Sequence, residues 1–200
     1  MIDKELELIY KTVRNEARVL NNDVLKVDSF LNHRLDVQVL NAIGKSFHRI
    51  FGNLHVDLIL TAEVSGIAIA TVAAQYFDVP VVFARKYQSK NLDSDTWEGQ
   101  AYSYTKQQNY QLRVAKRFLT PDHRVLILDD FLANGEAIKG MKQIIDQSGA
   151  YLAGTGVVIE KVFQSGGDEL AKKGVLVKSL VRVMSLSNGH ILLDDSFSTE

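Results

Sequence analysis

Residues 125–137, VLILDDFLANGEA, carry more information about this chain than any other segment. Four apolar residues lead into an acidic pair, Asp129 and Asp130, which precedes a turn of small residues and a helix-like run, AIKGMKQIIDQSG. An apolar run bounded by turn signals predicts a strand that is buried on both faces. The two carboxylates are therefore expected at the carboxyl end of a parallel strand, where open α/β sheets bind their ligands.

The segment after the acidic pair has the features of an anion-binding turn. It places free backbone N–H groups at the start of a helix, an arrangement that binds phosphate. The candidate residues are Ala133, Asn134, Gly135, Glu136 and Ala137. Carboxylates suited to vicinal hydroxyls beside N–H groups suited to phosphate match ribose 5-phosphate. An ordinary strand–helix turn with a surface acidic pair has the same local pattern, so other segments must distinguish the two.

Composition limits the classes of protein to which this chain can belong. Its 200 residues suit one domain with a real core, and the net charge of -1 indicates no nucleic-acid partner. No apolar run approaches the ~20 residues of a membrane-spanning helix. The chain has no cysteine, and its 5 histidines lack the spacing of metal ligands. We therefore expect a soluble cytoplasmic domain, without a membrane partner and without a metal held directly by side chains.

Periodic patterns along the chain predict alternating strands and helices. Helices are expected over 3–20, 35–51, 67–77, 137–147 and 169–172, and strands over 56–61, 80–85, 124–128, 152–161 and 175–183. This order predicts an α/β fold with a five-stranded parallel sheet flanked by helices. Residues 87–116 interrupt the rhythm: they are polar, and AYSYT and QLRVA alternate as a β-hairpin does. A mobile cover over the site is one interpretation of this insertion, and an inert loop is the other.

Two further strand ends carry polar side chains. Glu63, Ser65 and Gly66 lie between the first predicted strand and its helix, where a second anion can bind. A plain turn in which Ser65 caps the helix accounts for the same residues. Arg85 and Lys86 end the second strand and offer cations to a substrate with several negative charges, although a solvated charged pair is equally simple.

The acidic-pair segment resembles the phosphoribosyl-diphosphate (PRPP) signature of the type I phosphoribosyltransferases. Most members of that family carry Thr or Ser where this chain has Asn134 and Ala137. The blocks KVDSFLNH, PVVFARK, YSYTKQ, LDDFLANG, VIEKVFQ and GGDEL further resemble the bacterial xanthine phosphoribosyltransferases, over about residues 20–187. The resemblance implies the type I fold in a single domain, 1–200, with an N-terminal hood over 1–52, a PRPP-binding core over 53–187 and a flexible cover over 87–116.

The same resemblance implies roles for the site residues. Asp129 and Asp130 are the expected catalytic residues, the turn at 133–137 holds the 5-phosphate, and pyrophosphate meets the residues Glu63, Ser65, Gly66, Arg85 and Lys86. Lys161 ends the fourth strand and donates to an oxo group of the base, on whose face Phe131 or Phe163 stacks. Leu25 and Asn32 contact the base from the hood.

The implied reaction transfers a phosphoribosyl group from PRPP to xanthine, with guanine as a weaker substrate, Mg²⁺ bound through PRPP, and a homodimeric enzyme. Two alternatives remain at the level of sequence. An adenine or a guanine/hypoxanthine phosphoribosyltransferase shares most of these features. A PRPP-sensing regulator keeps the fold without catalysis, although such regulators usually carry a winged-helix domain, and the residues before the first core strand show no basic recognition face.

Overall fold

The computed structural model describes residues 3–21, 23–86, 95–104, 107–187 and 189–194. Five α-helices are described: α1 (Lys4–Glu16), α2 (Val37–Phe51), α3 (Ser65–Phe77), α4 (Glu136–Ser148) and α5 (Gly166–Lys172). The described strands are β1 (Arg18–Leu20), β2 (Val24–Lys26), β3 (Leu58–Ala62), β4 (Val81–Ala84), β5 (Thr96–Ser103), β6 (Gln108–Ala115), β7 (Arg124–Leu132), β8 (Tyr151–Lys161), β9 (Val177–Ser187) and β10 (His190–Leu193).

The central sheet has the strand order β10-β9-β8-β7-β3-β4. Its five strands from β9 to β4 are parallel, as the alternating pattern predicts. The sixth, β10, returns antiparallel to β9 and was not predicted, because its four residues are too few to show a period. Gly189, with φ of 76°, lies in the tight turn that joins the two strands.

Apolar side chains on both faces of the sheet account for the continuous apolar runs of its strands. In β3 and β7, Leu58, Leu60, Val125 and Ile127 pack on the side of α4, while their neighbours in sequence, such as Leu126, pack on the side of α2 and α3. Helices thus cover both faces, which is the doubly wound arrangement expected of parallel strands.

Strand β7 runs four residues beyond its predicted end, so the acidic pair lies within the strand and not after it. The cause is the length of β8, which spans 11 residues and pairs with β7 as far as Leu132. Asp129 lies opposite Val157 in this register. The extension brings both carboxylates closer to the core than the apolar run alone suggests.

The N-terminal segment differs from its prediction. The helix expected over 3–20 ends at Glu16, because β1 and β2 form a small antiparallel hairpin in which Val19 lies opposite Leu25. Asn21, with φ of 51°, lies in the turn of this hairpin. Helix α1 buries Ile9 and Val13 in the same core as α2, so the segment is packed onto the domain.

The predicted hairpin in the insertion is confirmed, with β5 and β6 paired over their whole length. Its stem is held against the domain. The Trp97 Nε1–H donates to the Leu119 carbonyl at 3.0 Å, and the Gln100 N–H donates to the side chain of Gln143 on α4 at 2.8 Å. A methyl group on Gly99 would lie 2.0 Å from a backbone oxygen of α4, so the stem and the helix are in direct contact. Residues 87–94, 105 and 106 of the predicted cover lie outside the described residues.

Candidate active site

The two anion-binding candidates follow neighbouring strands at the point where the direction of the sheet reverses. The chain proceeds from β3 outward to β4, and from β7 outward through β8 to β9, so the reversal lies between β3 and β7. In doubly wound sheets the crevice at this point, outside the carboxyl ends of the strands, is the usual ligand site. The turns after β3 and β7 both open into it.

The acidic pair combines a buried and a half-buried carboxyl group. Asp129 is only 6% exposed, so the pair is not the surface acidic pair of the simpler interpretation. Burial and the neighbouring charge of Asp130 raise the pKa of Asp129, and the Asp130 N–H, 3.0 Å from its Oδ1, offsets only part of this. The Asp130 Oδ1 accepts the Phe131 N–H at 2.9 Å. Both side chains are therefore oriented by the backbone that follows them.

The turn after β7 leaves helix N–H groups available to a ligand. Gly135 precedes α4 with φ of 75°, a conformation that favours glycine, and no side chain caps the helix. The N–H groups of the first helical turn therefore have no partner within the helix. The turn is braced from behind, because the Ala133 carbonyl accepts the Gly166 N–H at 3.1 Å, where α5 begins.

The turn after β3 is built differently from its prediction. Helix α3 begins at Ser65, with Val64 at the N-cap position, so Ser65 is not the cap that the simpler interpretation required. A methyl group on Gly66 would lie 2.0 Å from Thr61 Oγ1 and 3.3 Å from Asp129 Oδ1. The missing side chain thus allows the start of α3 to pack closely against Thr61 of β3 and Asp129 of β7. The peptide bond between Glu63 and Val64 is cis.

Glu63 organises the end of β4. Its Oε1 accepts the Lys86 N–H at 2.6 Å, and its Oε2 lies 3.9 Å from Arg85 Nε. The Arg85 backbone also pairs with Arg113 of the hairpin, in both directions at 2.9 Å. The carboxylate is thereby directed to the two residues that follow β4, so three of the predicted pyrophosphate residues, Glu63, Arg85 and Lys86, form one connected group.

Lys86 connects this group to the acidic pair. Its Nζ lies 5.5 Å from the centre of the Tyr110 ring, and its positive charge favours the ionised form of Asp129. Burial, with the charges of Asp129 and Glu136, raises the pKa of Tyr110, which stays a neutral hydrogen-bond donor. A cation, a phenol and a carboxyl group therefore share one wall of the crevice.

A cleft of about 340 Å³ joins the predicted 5-phosphate turn to the predicted base site. Its walls come from the β1–β2 hairpin, the ends of β7 and β8, the start of α4 and the open end of the β5–β6 hairpin. The lining residues that the sequence predicted are Leu25, Phe131, Ala133, Asn134, Gly135, Glu136, Ala137 and Lys161. Those that it missed include Asp23, Tyr102, Ser103, Tyr104, Tyr110 and Gln164.

Lys161 lies between the sheet and the N-terminal hairpin. Its Nζ donates to the Asp23 carbonyl at 2.6 Å, which leaves two of its three N–H groups for a ligand. Burial lowers the pKa of Lys161. The structure does not bring Asn32 or Phe163 into this cleft: Asn32 is exposed, Phe163 is 44% exposed, and neither lines the walls, whereas Phe131 does.

The described residues contain no group of three or more His, Asp or Glu side chains that could hold a metal ion. The acidic pair supplies oxygen ligands of the kind that Mg²⁺ prefers, but only two carboxyl groups. This donor set fits a metal that is held mainly through the oxygens of a substrate. Within the described part of the chain, no helix has both the length and the apolar character needed to span a membrane.

Comparisons with known proteins agree with this geometry. Residues 26–188 match the model of the phosphoribosyl transferase domain. The chain is 54% identical to the xanthine phosphoribosyltransferase of Alkaliphilus metalliredigens, over 95% of this chain and 94% of that protein. It is 50% identical to the xanthine phosphoribosyltransferase of Ruminiclostridium cellulolyticum, over 93% of this chain and 98% of that protein.

Solved structures show the same fold at much lower sequence identity. Adenine phosphoribosyltransferase from Thermoanaerobacter pseudethanolicus aligns with a TM-score of 0.73 at 20% identity, covering 88% of this chain and 99% of that one. The Trypanosoma brucei adenine phosphoribosyltransferase, solved with AMP, pyrophosphate and ribose-5-phosphate, aligns with a TM-score of 0.72 at 18% identity, covering 87% and 79%. At these identities the similarity concerns the fold alone.

Proposed function

Because this chain belongs to the phosphoribosyltransferase family, we propose that it transfers the 5-phosphoribosyl group of PRPP to xanthine, giving xanthosine 5′-monophosphate and pyrophosphate. The observation that carries the proposal is the single cleft in which the 5-phosphate turn, Phe131 and Lys161 face one another. A phosphate site alone fits many proteins. A phosphate site joined to an apolar wall and a lysine fits a nucleotide product.

In the proposed mechanism the protein binds and orients the reactants and forms no covalent bond. The first-turn N–H groups of α4 hold the 5-phosphate, and Asp129 and Asp130 accept hydrogen bonds from the 2′- and 3′-hydroxyls of the ribose. Their negative charge stabilises the positive charge that develops at C1 as pyrophosphate leaves. Hydroxyl donors and a positively charged ring beside Asp129 favour its ionised form and so lower its raised pKa.

Pyrophosphate is proposed to lie at the turn after β3, within reach of Ser65, Gly66, Arg85 and Lys86. Glu63 acts there by holding Arg85 and Lys86 in place, and its own carboxylate does not contact the anion. Mg²⁺ bound through PRPP offsets charge on the leaving diphosphate. Asp129 and Asp130, which bind the ribose hydroxyls in this proposal, lie next to the proposed pyrophosphate position.

Base selection is proposed to depend on Lys161. One N–H of its ammonium group is bound by the Asp23 carbonyl, and the others donate to the 6-oxo group of a purine. Adenine presents an amino group there, which leaves the remaining N–H groups of the half-buried lysine facing a donor. Such a mismatch costs about 1–3 kcal/mol, which corresponds to about tenfold to a hundredfold in rate. Phe131 stacks on the base and Leu25 closes the cleft above it. The proposed hood contact of Asn32 requires movement of its turn. Of the two candidates for stacking, Phe131 lines the cleft and Phe163 does not.

The open end of the β5–β6 hairpin is proposed to cover the site during turnover. Tyr102, Tyr104 and Tyr110 already line the cleft, while the stem is fixed on α4. Closure excludes water, which would hydrolyse PRPP. We also propose that the enzyme is a cytoplasmic homodimer. Val64, 78% exposed beside the pyrophosphate turn, and Val37, 63% exposed, are apolar side chains that a second copy would cover.

Pyrophosphate release with PRPP, Mg²⁺ and each of five nucleobases tests the proposal. We expect turnover to be highest with xanthine, lower with guanine and negligible with adenine. Lys161→Met should lower kcat/KM for xanthine about tenfold to a hundredfold and leave PRPP binding in place. Adenine turnover equal to that with xanthine would remove both the Lys161 role and the substrate assignment. PRPP binding without turnover of any base would indicate a regulator.

A further inference from the structure

A carboxylate lies inside the turn that holds the 5-phosphate in the proposed function. Glu136 is the first residue of α4 and lines the cleft. Its charge, together with burial and Asp129, contributes to the raised pKa of Tyr110 on the opposite wall. An acidic side chain at the positive end of a helix is favourable in the empty protein. It also repels a phosphate dianion that needs the same N–H groups.

Lys139 binds this carboxylate from one turn further along the helix. Its Nζ lies 2.9 Å from Glu136 Oε1 and 2.8 Å from Glu169 Oε2 on α5. The other oxygen of Glu169 accepts the Ser165 hydroxyl at 2.7 Å. The Lys139 side chain is 20% exposed and that of Glu136 is 25% exposed, so solvent screens their pair only in part. The hydrogen bonds from Lys139 to both acids outweigh the effect of burial and raise the pKa of Lys139, which stays charged.

We propose that Lys139 is a positioning residue for the 5-phosphate: it neutralises Glu136 and holds its carboxylate aside from the N–H groups of the turn, while Glu169 fixes the lysine from α5. The inference deepens the proposed function and rests on it, since it requires a phosphate in this turn. It explains why a turn without the usual hydroxyl side chains tolerates an acidic residue as well. Helix α5 also contacts the backbone of the turn, since the Gly166 N–H donates to the Ala133 carbonyl. One helix therefore holds both the Lys139 side chain, through Glu169, and the main chain of the turn.

A purely structural role predicts a different outcome. As a purely structural contact, an ion pair three residues apart on a helix adds a few tenths of a kcal/mol to stability and leaves the affinity for an anion unchanged. A positioning role predicts a large effect on anion affinity and little effect on the unfolding midpoint. Lys142 lies three residues further along α4 and is paired with Asp146 at 2.7 Å. It supplies a matched control because Asp146 does not line the cleft, whereas Glu136, the partner of Lys139, does.

The test measures the binding of ribose 5-phosphate by calorimetry and the KM for PRPP in steady state. Lys139→Met keeps side-chain length and removes the charge. We expect it to weaken ribose 5-phosphate binding and to raise the KM for PRPP, each about tenfold, with kcat changed less than about twofold. Lys139→Arg should retain affinity within about threefold, and Lys142→Met should match the wild type.

A second variant separates charge from packing. In the double variant Glu136→Gln/Lys139→Met the uncompensated carboxylate is absent, so affinity for ribose 5-phosphate should return to within about threefold of the wild type. Unfolding midpoints are measured for every variant, and affinities are compared only among folded proteins. Wild-type affinity in Lys139→Met would overturn the proposal, as would a double variant that binds no better than Lys139→Met.

Failure of the proposed function gives a different result. If the wild-type protein binds no ribose 5-phosphate and releases no pyrophosphate from PRPP, the assignment of the turn itself is wrong. If the wild type binds and turns over normally while Lys139→Met equals it, only the role of Lys139 is refuted.

Discussion

Gly66→Ala is expected to destabilise the wild-type protein but to stabilise the Thr61→Ala protein. A methyl group at Gly66 would lie 2.0 Å from Thr61 Oγ1, far inside contact distance. Thr61 cannot move away easily, since it is fully buried and its β-branched side chain has little rotamer freedom. Overpacking of this kind costs about 1–3 kcal/mol. Position 66 lies in the first turn of α3, where Ala is favoured over Gly by up to about 1 kcal/mol.

The two terms give a net loss of about 1–2 kcal/mol for Gly66→Ala alone. In the Thr61→Ala background the clashing oxygen is absent, and the remaining close neighbours, Thr61 Cβ and Asp129 Oδ1 at 3.3 Å, need to yield only slightly. The helix preference then dominates, so Gly66→Ala should stabilise the Thr61→Ala protein by about 0–1 kcal/mol. Thr61→Ala itself should cost about 1 kcal/mol for the lost methyl group, reduced because the buried Thr61 hydroxyl has no partner among the described residues.

Urea unfolding of the four proteins measures these differences, with Trp97 as an intrinsic fluorescence probe because it is the only tryptophan in the chain. Its indole, in the hairpin stem, donates to the Leu119 carbonyl and belongs to a different element from either substitution, so its signal reports global unfolding. Equal m-values across the set are required for the comparison. The coupling between the two sites should exceed about 1 kcal/mol. Additive effects, with Gly66→Ala destabilising both backgrounds equally, would refute the packing argument.

Three further outcomes follow from the site. Replacing Asp129 and Asp130 together by Asn should leave the circular dichroism spectrum unchanged and remove most turnover; near-wild-type kcat/KM would refute their ribose role. Because the pKa of Asp129 is raised in the folded protein, the wild type loses unfolding free energy as the pH rises above 3.8. Asp129→Asn should therefore gain stability relative to the wild type over that range, measured by urea unfolding at each pH. A difference in unfolding free energy that does not change with pH would contradict this. Thr155→Val, at a buried hydroxyl without a partner among the described residues, should be neutral or stabilise by about 1 kcal/mol, and a melting temperature lowered by several degrees would count against it.

The central sheet could be predicted from the sequence because each parallel strand is a continuous apolar run. Strands buried on both faces, such as β3 and β7, have apolar residues at most successive positions, and few other short elements require that pattern. The hairpin of the insertion was predicted for a related reason, since one of its faces packs on α4 and its residues alternate. The acidic pair and the turn after it were identified from residue order alone, because both follow directly from one strand.

Other features depend on contacts between distant segments. The end of α1 is set by the pairing of β1 with β2, which no helical period reveals, and the extension of β7 is set by the length of β8. The tyrosines of the hairpin reach the cleft because Gly99 and Gly140 allow the stem to approach α4 closely. Lys139 appeared only as one polar residue on an amphipathic helix, since its second partner, Glu169, lies 30 residues away.

The two candidate anion-binding turns follow adjacent strands, so the sheet fixes the distance between them. Neighbouring strands are held about 4.8 Å apart by their backbone hydrogen bonds, so the interval between the turns after β3 and β7 is set by the main chain and not by any side chain. Substitutions in either turn can alter how strongly each end of a ligand is bound, but they leave the distance between the two turns unchanged. If the proposed function holds, differences in specificity between proteins of this fold are expected in the walls that face the base, here the N-terminal hairpin and the end of β8, while the spacing of the sites for the sugar and its phosphates stays the same.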